Sequence, residues 1–210
     1  MENAKEGGNI EMKHCSENMT LMVNNYNNVT GYECQICKKR KMVIPVSRVQ
    51  WCTYLDNIVI HTDGSVSGNG KPDAIGGWAA ILEYYKLNTS GSLRFMELEK
   101  EIYGRLTFET DDVPVTNNRA EMYGILMALE RINMVCNVFV YSDSELCIKS
   151  INGIYSRKTN LDIWNRIDAI VKELKRIGCN IEFIWEKGHS GIVLNERCDR
   201  LASKVKRGEI

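Results

Sequence analysis

The sequence predicts an α/β fold with a mixed sheet, and three observations support this prediction. Apolar and polar residues alternate in the segments 58–63, 75–85 and 101–109, as they do in strands. Four later segments have the apolar spacing of helices, and two short apolar runs lie between them. Because hairpins join the early strands and helices separate the later ones, the sheet is expected to be mixed.

The elements are expected in the following order along the chain. Residues 58–63 form a strand that ends at the run GSVSGNG, because glycines break strands. Two more strands, 75–85 and 101–109, flank the loop NTSGS. A helix at 117–131 carries an apolar stripe. The later elements are a strand at 138–141, helices at 144–151 and 161–177, a strand at 181–185 and a helix at 194–205.

Composition indicates a small N-terminal segment followed by one domain of ordinary size. Of the 210 residues, 44% are hydrophobic and 26% are charged, which is enough apolar material for a core. Residues 1–55 are rich in Asn and lack aliphatic periodicity, which favours an arm, whereas residues 56–210 carry the regular patterns. Because the formal net charge is +0, only local patches could bind a polyanion.

The sequence also indicates where in the cell the protein is expected to lie. No apolar run approaches the roughly 20 residues that cross a bilayer, and residues 1–30 lack the apolar core of a signal peptide. A cytoplasmic, reducing location is therefore expected, with the nucleus left open. The eight cysteines are then not expected to form a disulfide framework. Four of them lie in strand or helix patterns and are expected to pack as small apolar groups, namely Cys136, Cys147, Cys179 and Cys198.

Four acidic residues lie in separate, well-marked contexts: Asp63 in HTDGS, Glu121 in TNNRAE, Asp143 in YSDSE and Asp199 in NERCDRLA. Each follows a strand-like run or lies on a helix beside small polar residues, where an isolated charge would be costly to bury. Carboxylates that converge repel one another, and Mg²⁺ or Mn²⁺ would neutralise them. The pattern is therefore typical of a two-metal phosphoryl-transfer site.

Taken singly, each position has a simpler interpretation. Asp63 could open a turn, Asp143 could cap the following helix, and Glu121 could lie on a solvated helix face. Asn195 and Asp199 are four residues apart, so they project from one side of a helix, as many surface pairs do.

A histidine adds to the pattern. His189 lies between glycines in the loop KGHSG, which suits proton transfer or leaving-group chemistry. A single loop histidine is more often only exposed. The argument for a shared site therefore depends on the positions together.

The joined motifs TDGS, TNNRAE, SDS and GHSG with NERCDRLA three residues later resemble those of the type 1 ribonuclease H family. Their order and spacing match over about residues 56–206. The resemblance implies the ribonuclease H fold, a five-stranded mixed sheet flanked by helices. It also implies a monomeric endonuclease that cuts the RNA strand of RNA–DNA hybrids, leaving 5′-phosphate and 3′-hydroxyl ends.

The same resemblance implies roles for the marked residues. Asp63 would bridge two Mg²⁺ or Mn²⁺ ions, with Glu121 and Asp143 on the side of the nucleophile and Asp199 on the other. His189 would help the product leave or relay a proton. The implied substrate contacts are Asn69, Asn117 and Glu121 to RNA 2′-hydroxyls and base edges, Thr116 and Asn160 to a DNA phosphate, and Asn195 as a further contact.

The chain departs from the family where relatives carry a basic, Trp-rich protrusion. The corresponding interval is only NGIYSRKTNLD, so the protrusion is expected to be deleted, with Arg157 and Lys158 as its cationic remnant. Leu146 stands where a ring can pack on a DNA sugar, and Pro114 stands where an Arg can reach the phosphate. A weaker grip on the DNA strand is therefore expected.

The N-terminal segment contains Cys34 and Cys37 in YECQICKK, a spacing that resembles a zinc knuckle. A tetrahedral zinc site needs two more ligands, for which His14, Cys15 and Cys52 are candidates. The alternative is that these are chance cysteines in a loosely ordered arm. The run KKRK that follows either holds nucleic-acid phosphates or only improves solubility.

Three other functions compete with the hybrid endonuclease. The first is a non-catalytic nucleic-acid-binding module with the same fold. The second is a DNA strand-transfer or resolving nuclease, although TNNRAE and GHSG match the RNA-reading version of the fold. The third is a ribonuclease H associated with a reverse transcriptase.

Overall fold

The computed structural model describes residues 19–23, 29–34, 40–42, 56–87, 94–108 and 113–210. The chain divides into two compact units, Met1–Trp51 and Cys52–Ile210. The described strands of the first unit are β1 (Met19–Val23), β2 (Val29–Cys34) and β3 (Arg40–Met42). They form an antiparallel sheet in the order β1-β2-β3.

These three strands are absent from the elements predicted by the sequence. They are short, and their residues lack the aliphatic alternation on which strand prediction depends. The predicted zinc ligands His14, Cys15, Cys37 and Cys52 lie outside the described residues, and Cys34 is described only by its place at the end of β2. The zinc site therefore stays a prediction.

The second unit contains a five-stranded mixed sheet in the order β6-β5-β4-β7-β8. Strands β4, β5 and β6 pair antiparallel, whereas β4–β7 and β7–β8 pair parallel, which confirms the predicted mixed sheet. The bounds of the described elements are β4 Asn57–Ser67, β5 Ile75–Leu87, β6 Arg94–Leu106, α1 Asn117–Leu129, β7 Asn137–Ser142, α2 Glu145–Ile151, α3 Leu161–Ile177, β8 Asn180–Trp185 and α4 Val193–Arg207.

Strand β4 is longer than predicted. The sequence predicted its end at Asp63, but pairing with β5 continues to Ser67 opposite Ile75. Gly64 does not break the strand, because it is the position at which α1 crosses: a Cβ atom there would collide with the backbone of α1 at Ala120 and Glu121. Asp63 therefore lies within a strand and not at a turn.

Helices cover both faces of the sheet. Alternate residues of β4 point to opposite faces. Ile58 and Ile60 belong to the main core with residues of α1 and α3 such as Leu126 and Ile167. On the opposite face α4 packs against β4 and β5.

The four cysteines are buried and form no disulfides, which confirms their predicted packing role, although Cys136 and Cys179 directly precede β7 and β8 and do not lie within them. Cys136, Cys147 and Cys179 belong to the main core, and Cys198 lies in α4. Of the described helices, none has both the length and the apolar content that a bilayer crossing needs.

Candidate active site

Asp63 and Asp143 are neighbours because β4 and β7 run parallel. The two strands pair from Asn57 opposite Asn137 to Thr62 opposite Ser142. Each aspartate directly follows the last residue of the β4–β7 pairing, so both lie at the same end of this strand pair. The sequence predicted this placement for Asp143, although a role as helix cap was the alternative. The cap of α2 is instead Ser144.

Helix α1 brings the third carboxylate. Its first turn is capped by Thr116, whose Oγ1 accepts the Arg119 N–H at 3.3 Å. Glu121 follows on the helix at the point where it crosses Gly64. One carboxylate oxygen from each of Asp63, Glu121 and Asp143 lies within 4.8 Å of the others. Three of the four predicted acids therefore converge.

Asp199 lies outside this three-carboxylate cluster but is electrostatically close. It is half-buried on α4, which packs against β4. Its negative charge is one of the causes that raise the pKa of Asp63. Four residues earlier on the same helix, the buried Asn195 donates from Nδ2 to Oδ2 of Asp143 at 3.3 Å. Asn195 thus contacts the cluster directly, and Asp199 acts on it through its charge.

The cluster holds protons tightly in the absence of a cation. Burial, followed by the charges of Asp143 and Asp199, raises the pKa of Asp63 to about 8, against the opposing hydrogen bond from Gly64 N–H at 2.6 Å. Burial and the charges of Asp63 and Asp143 raise the pKa of Glu121 well above its usual range. Three ionised carboxylates at this separation would repel one another strongly, so a proton or a cation is needed to compensate.

The donor set fits a hard divalent cation. Among the described residues, Oε2 of Glu121 and Oδ1 of Asn195 are buried oxygens without a hydrogen-bond partner. Such atoms are costly to leave unsatisfied. Carboxylate and amide oxygens are the ligands that Mg²⁺ and Mn²⁺ prefer, whereas zinc favours nitrogen and sulfur. The residues present therefore suit Mg²⁺ or Mn²⁺.

The loop between β8 and α4 passes directly beside Asp143. An added Cβ atom at Gly188 would lie 2.5 Å from Oδ2 of Asp143, so the loop backbone touches this carboxylate. His189 is the next residue, exposed and in the left-handed backbone region with φ of 51°. The exposed His189 therefore follows the residue whose backbone lies against Asp143.

The predicted substrate contacts fall into two groups. Asn69 accepts the backbone N–H of Asn117 at 2.9 Å through its Oδ1, so these two residues lie together near the start of α1. Thr116 and Asn160 share a partner, since Arg119 contacts the first through its backbone and the second through Nη1 at 3.1 Å. The structure thus places Asn69 beside Asn117 and gives Thr116 and Asn160 a common partner, and their substrate contacts stay a prediction.

The α2–α3 connection forms a cleft where relatives are expected to have the protrusion. Its volume is about 520 Å³. Arg157 is engaged within the protein, since its guanidinium lies 4.4 Å from the centre of the Trp164 ring and its Nη1 lies 2.6 Å from Asp168. The cleft is lined by Leu146, Ser150, Ile154, Tyr155, Ser156, Arg157, Lys158, Thr159, Asn160 and Trp164.

Two features of the site were missed by sequence reasoning. His61 of β4, Tyr141 of β7 and Glu186, which directly follows β8, form a buried polar group. His61 and Tyr141 are close to Asp63 and Asp143 in the sequence. Lys206 contacts Ser65, two residues after Asp63. The alternation of β4 places His61 and Ser65 on the face of Asp63, which is the only signal the sequence offers for either feature.

This chain is similar to proteins of the RNase H family. The family model for RNase H matches residues 56–207. A ribonuclease H of Rhodopseudomonas palustris is 35% identical over 158 residues, which covers 69% of this chain and 86% of the relative. A ribonuclease H of Alcanivorax borkumensis is 34% identical over 163 residues, covering 71% of this chain and 91% of the relative.

Solved structures of low identity share the fold. LC9-RNase H1, described as a type 1 RNase H with the type 2 active-site motif, superposes with a TM-score of 0.57 at 20% identity, covering 74% of each chain. The N-terminal RNase H domain of a Mycobacterium tuberculosis protein, fused to maltose-binding protein, gives a TM-score of 0.53 at 20% identity. It covers 72% of this chain and 94% of that one.

Proposed function

The chain belongs to the RNase H family of nucleases, and from that premise we propose that it hydrolyses the RNA strand of RNA–DNA hybrids internally. The reaction adds water to a phosphodiester, breaks the bond between phosphorus and the 3′-oxygen, and leaves 5′-phosphate and 3′-hydroxyl ends. The supporting observation is the convergence of Asp63, Glu121 and Asp143 within 4.8 Å, with raised pKa values at the first two.

The carboxylates would hold two divalent cations, Mg²⁺ or Mn²⁺. Asp63 would contact both ions, Glu121 and Asp143 would hold the one on the side of the attacking water, and Asp199 would hold the other. When bound, such ions lower the pKa of a water and stabilise the departing 3′-oxygen. The unpaired Oε2 of Glu121 supports this assignment, because it is a buried acceptor that lacks a partner among the described residues.

The remaining residues would position the substrate and move protons. His189 would protonate the leaving 3′-oxygen or help product depart, and its position directly after the loop backbone that touches Asp143 supports this role. Asn69 and Asn117 would read 2′-hydroxyls, which distinguish RNA from DNA. Thr116 and Asn160, which share Arg119 as a partner, would hold a phosphate of the DNA strand.

The test is cleavage of an end-labelled RNA–DNA hybrid with Mg²⁺ or Mn²⁺. The full chain should cut the RNA strand, and Asp143→Asn should be folded and inactive. Double-stranded RNA, duplex DNA and a duplex with one ribonucleotide serve as comparison substrates. If wild type and Asp143→Asn are equally inactive on hybrid while both are folded, the proposal fails; comparable cutting of duplex DNA would replace it with a DNA nuclease.

A further inference from the structure

A lysine and two serines lie next to the carboxylates on the α4 face of the sheet. Ser65 is two residues after Asp63 in β4 and points to the same face, about 7 Å further along the strand. Lys206 donates from Nζ to Oγ of Ser65 at 2.7 Å, and Oγ of Ser203 lies 3.3 Å from the same oxygen. The side chains of Ser65, Ser203 and Lys206 therefore converge two residues along β4 from Asp63.

The backbone is shaped for this contact. Gly77 of β5 pairs with Ser65, and a Cβ atom at Gly77 would collide with the backbone of α4 at Ala202 and would come 2.8 Å from the backbone nitrogen of Lys206. The glycine thus allows α4 to lie directly against the sheet here. As a result the half-buried Lys206 side chain is held against β4.

The Lys206 ammonium is hydrogen-bonded to a hydroxyl, whereas many other cations of the chain pair with carboxylates. Lys149 pairs with Glu145, Arg197 pairs with Glu101, and further Lys and Arg residues also pair with carboxylates. Among the described residues no carboxylate lies within ion-pair distance of Lys206, whose hydrogen bond goes to a neutral hydroxyl. A half-buried ammonium without a protein counter-charge is suited to bind an anion.

We propose that Lys206, positioned by Ser65, binds the backbone phosphate that neighbours the scissile phosphate on the RNA strand. This assignment rests on the proposed function. Lys206 contacts Ser65, which is about 7 Å from Asp63 along the strand, so an RNA strand with one phosphate at Asp63 can place the neighbouring phosphate at the ammonium. Lysine binds phosphate as a point charge, and the serine hydroxyls can donate to the same oxygens.

Binding of the full chain to a fluorescent hybrid, measured by anisotropy over a series of salt concentrations without divalent ions, tests the proposal. Lys206→Gln should weaken binding roughly 3- to 10-fold at low salt and reduce the salt slope by about one counterion. Lys204→Gln is the matched control, since Lys204 is exposed on the same helix and points about 200° away. The control should bind as the wild type does.

A second measurement identifies the phosphate. Hybrids carry a single uncharged methylphosphonate immediately 5′ or 3′ of the scissile position, and kcat/KM is measured with Mg²⁺. One of the two replacements should lower kcat/KM for the wild type and have little further effect on Lys206→Gln.

The proposal is overturned if Lys206→Gln keeps the wild-type salt slope, or if it loses as much from each methylphosphonate as the wild type does. Failure of the proposed function looks different. A wild type that binds hybrid without cutting it would refute the endonuclease, while the anisotropy comparison of Lys206→Gln with Lys204→Gln would still decide the phosphate contact.

Discussion

His61 and Glu186 form a fully buried hydrogen bond of 3.0 Å between the imidazole Nδ1 and the carboxylate Oε1. His61 is two residues before Asp63, and its ring stacks on Tyr141, two residues before Asp143, with 4.9 Å between ring centres. Glu186 opens the loop that carries His189. The pair therefore links the two strands of the aspartates to the loop of the histidine.

Removing one partner of this pair should destabilise the fold more than removing both. Glu186→Leu leaves the buried Nδ1 of His61 without its partner, so the free energy of unfolding should fall by about 1–3 kcal/mol. Glu186→Gln keeps an acceptor and should lose less. The double variant His61→Phe with Glu186→Leu should recover part of the loss, because neither polar group remains buried. Urea unfolding of the four proteins measures this, and a double variant less stable than Glu186→Leu would contradict it.

The two features most important for the site differ in how well the sequence predicts them. Asp63 and Asp143 each follow an apolar strand pattern, so parallel pairing was enough to place them together. The contact between His61 and Glu186 joins positions 125 residues apart. No periodic pattern within the sequence indicates such a pair. It forms only because β7 lies between β4 and β8 in the sheet, which brings the residue after β8 close to His61.

The bounds of β4 show a second limit of prediction. Glycines in GSVSGNG were interpreted as the end of the strand, because glycine usually weakens a strand. Here Gly64 is required by the close crossing of α1, so the same residue type has a packing role inside the strand. A single sequence does not distinguish these two uses of glycine, since the difference depends on a helix more than 50 residues away.

In the absence of divalent ions, stability should fall as the pH rises from about 4 to about 8. The folded pKa of Asp63, about 8, is above its ordinary value of 3.8, so the folded state binds more protons over this range. The stabilisation is complete below pH 4 and is lost as the pH passes 8. Burial also raises the pKa of Glu83, so Glu83 likewise makes the folded state less stable as the pH rises.

Comparison with Asp63→Asn isolates the contribution of Asp63. Unfolding by urea in EDTA at several pH values should show a smaller decrease for the variant, with a difference of a few kcal/mol between pH 4 and pH 9. Saturating Mg²⁺ should reduce the decrease in the wild type, because the ion binds the deprotonated cluster. Parallel pH profiles of wild type and variant in EDTA would refute the raised pKa.

Glu121→Gln should separate stability from activity. The amide removes one of three mutually repelling carboxylates, so the metal-free variant should unfold at a higher temperature than the wild type above pH 7. Cleavage of hybrid should fall by more than the roughly 10–100-fold that is typical of groups supporting metal ligands. Melting curves with and without Mg²⁺ supply a further measurement.

The wild type should gain about 2.7 kcal/mol of stability when the ion is at 100 times its dissociation constant, and Glu121→Gln should gain much less at the same concentration. An Mg²⁺-dependent stabilisation equal in both proteins would show that Glu121 does not hold the ion. Glu130→Gln, exposed at the end of the same helix, is the control and should behave as the wild type does in the Mg²⁺ titration.

Substitutions at adjacent positions in the β8–α4 loop should affect different steps. In Gly188→Ala the new methyl group would lie 2.5 Å from Oδ2 and 3.3 Å from Cβ of Asp143, so either the carboxylate or the loop must shift. A displaced Asp143 should raise the Mg²⁺ concentration needed for half-maximal cleavage.

His189→Ala removes the proposed proton-transfer group, which should lower kcat by up to roughly 100-fold. Because His189 is exposed and is not a proposed metal ligand, the Mg²⁺ dependence of cleavage should stay unchanged. Titration of cleavage against Mg²⁺ for both variants distinguishes the two effects, and a shifted midpoint in His189→Ala with none in Gly188→Ala would reverse the assignment.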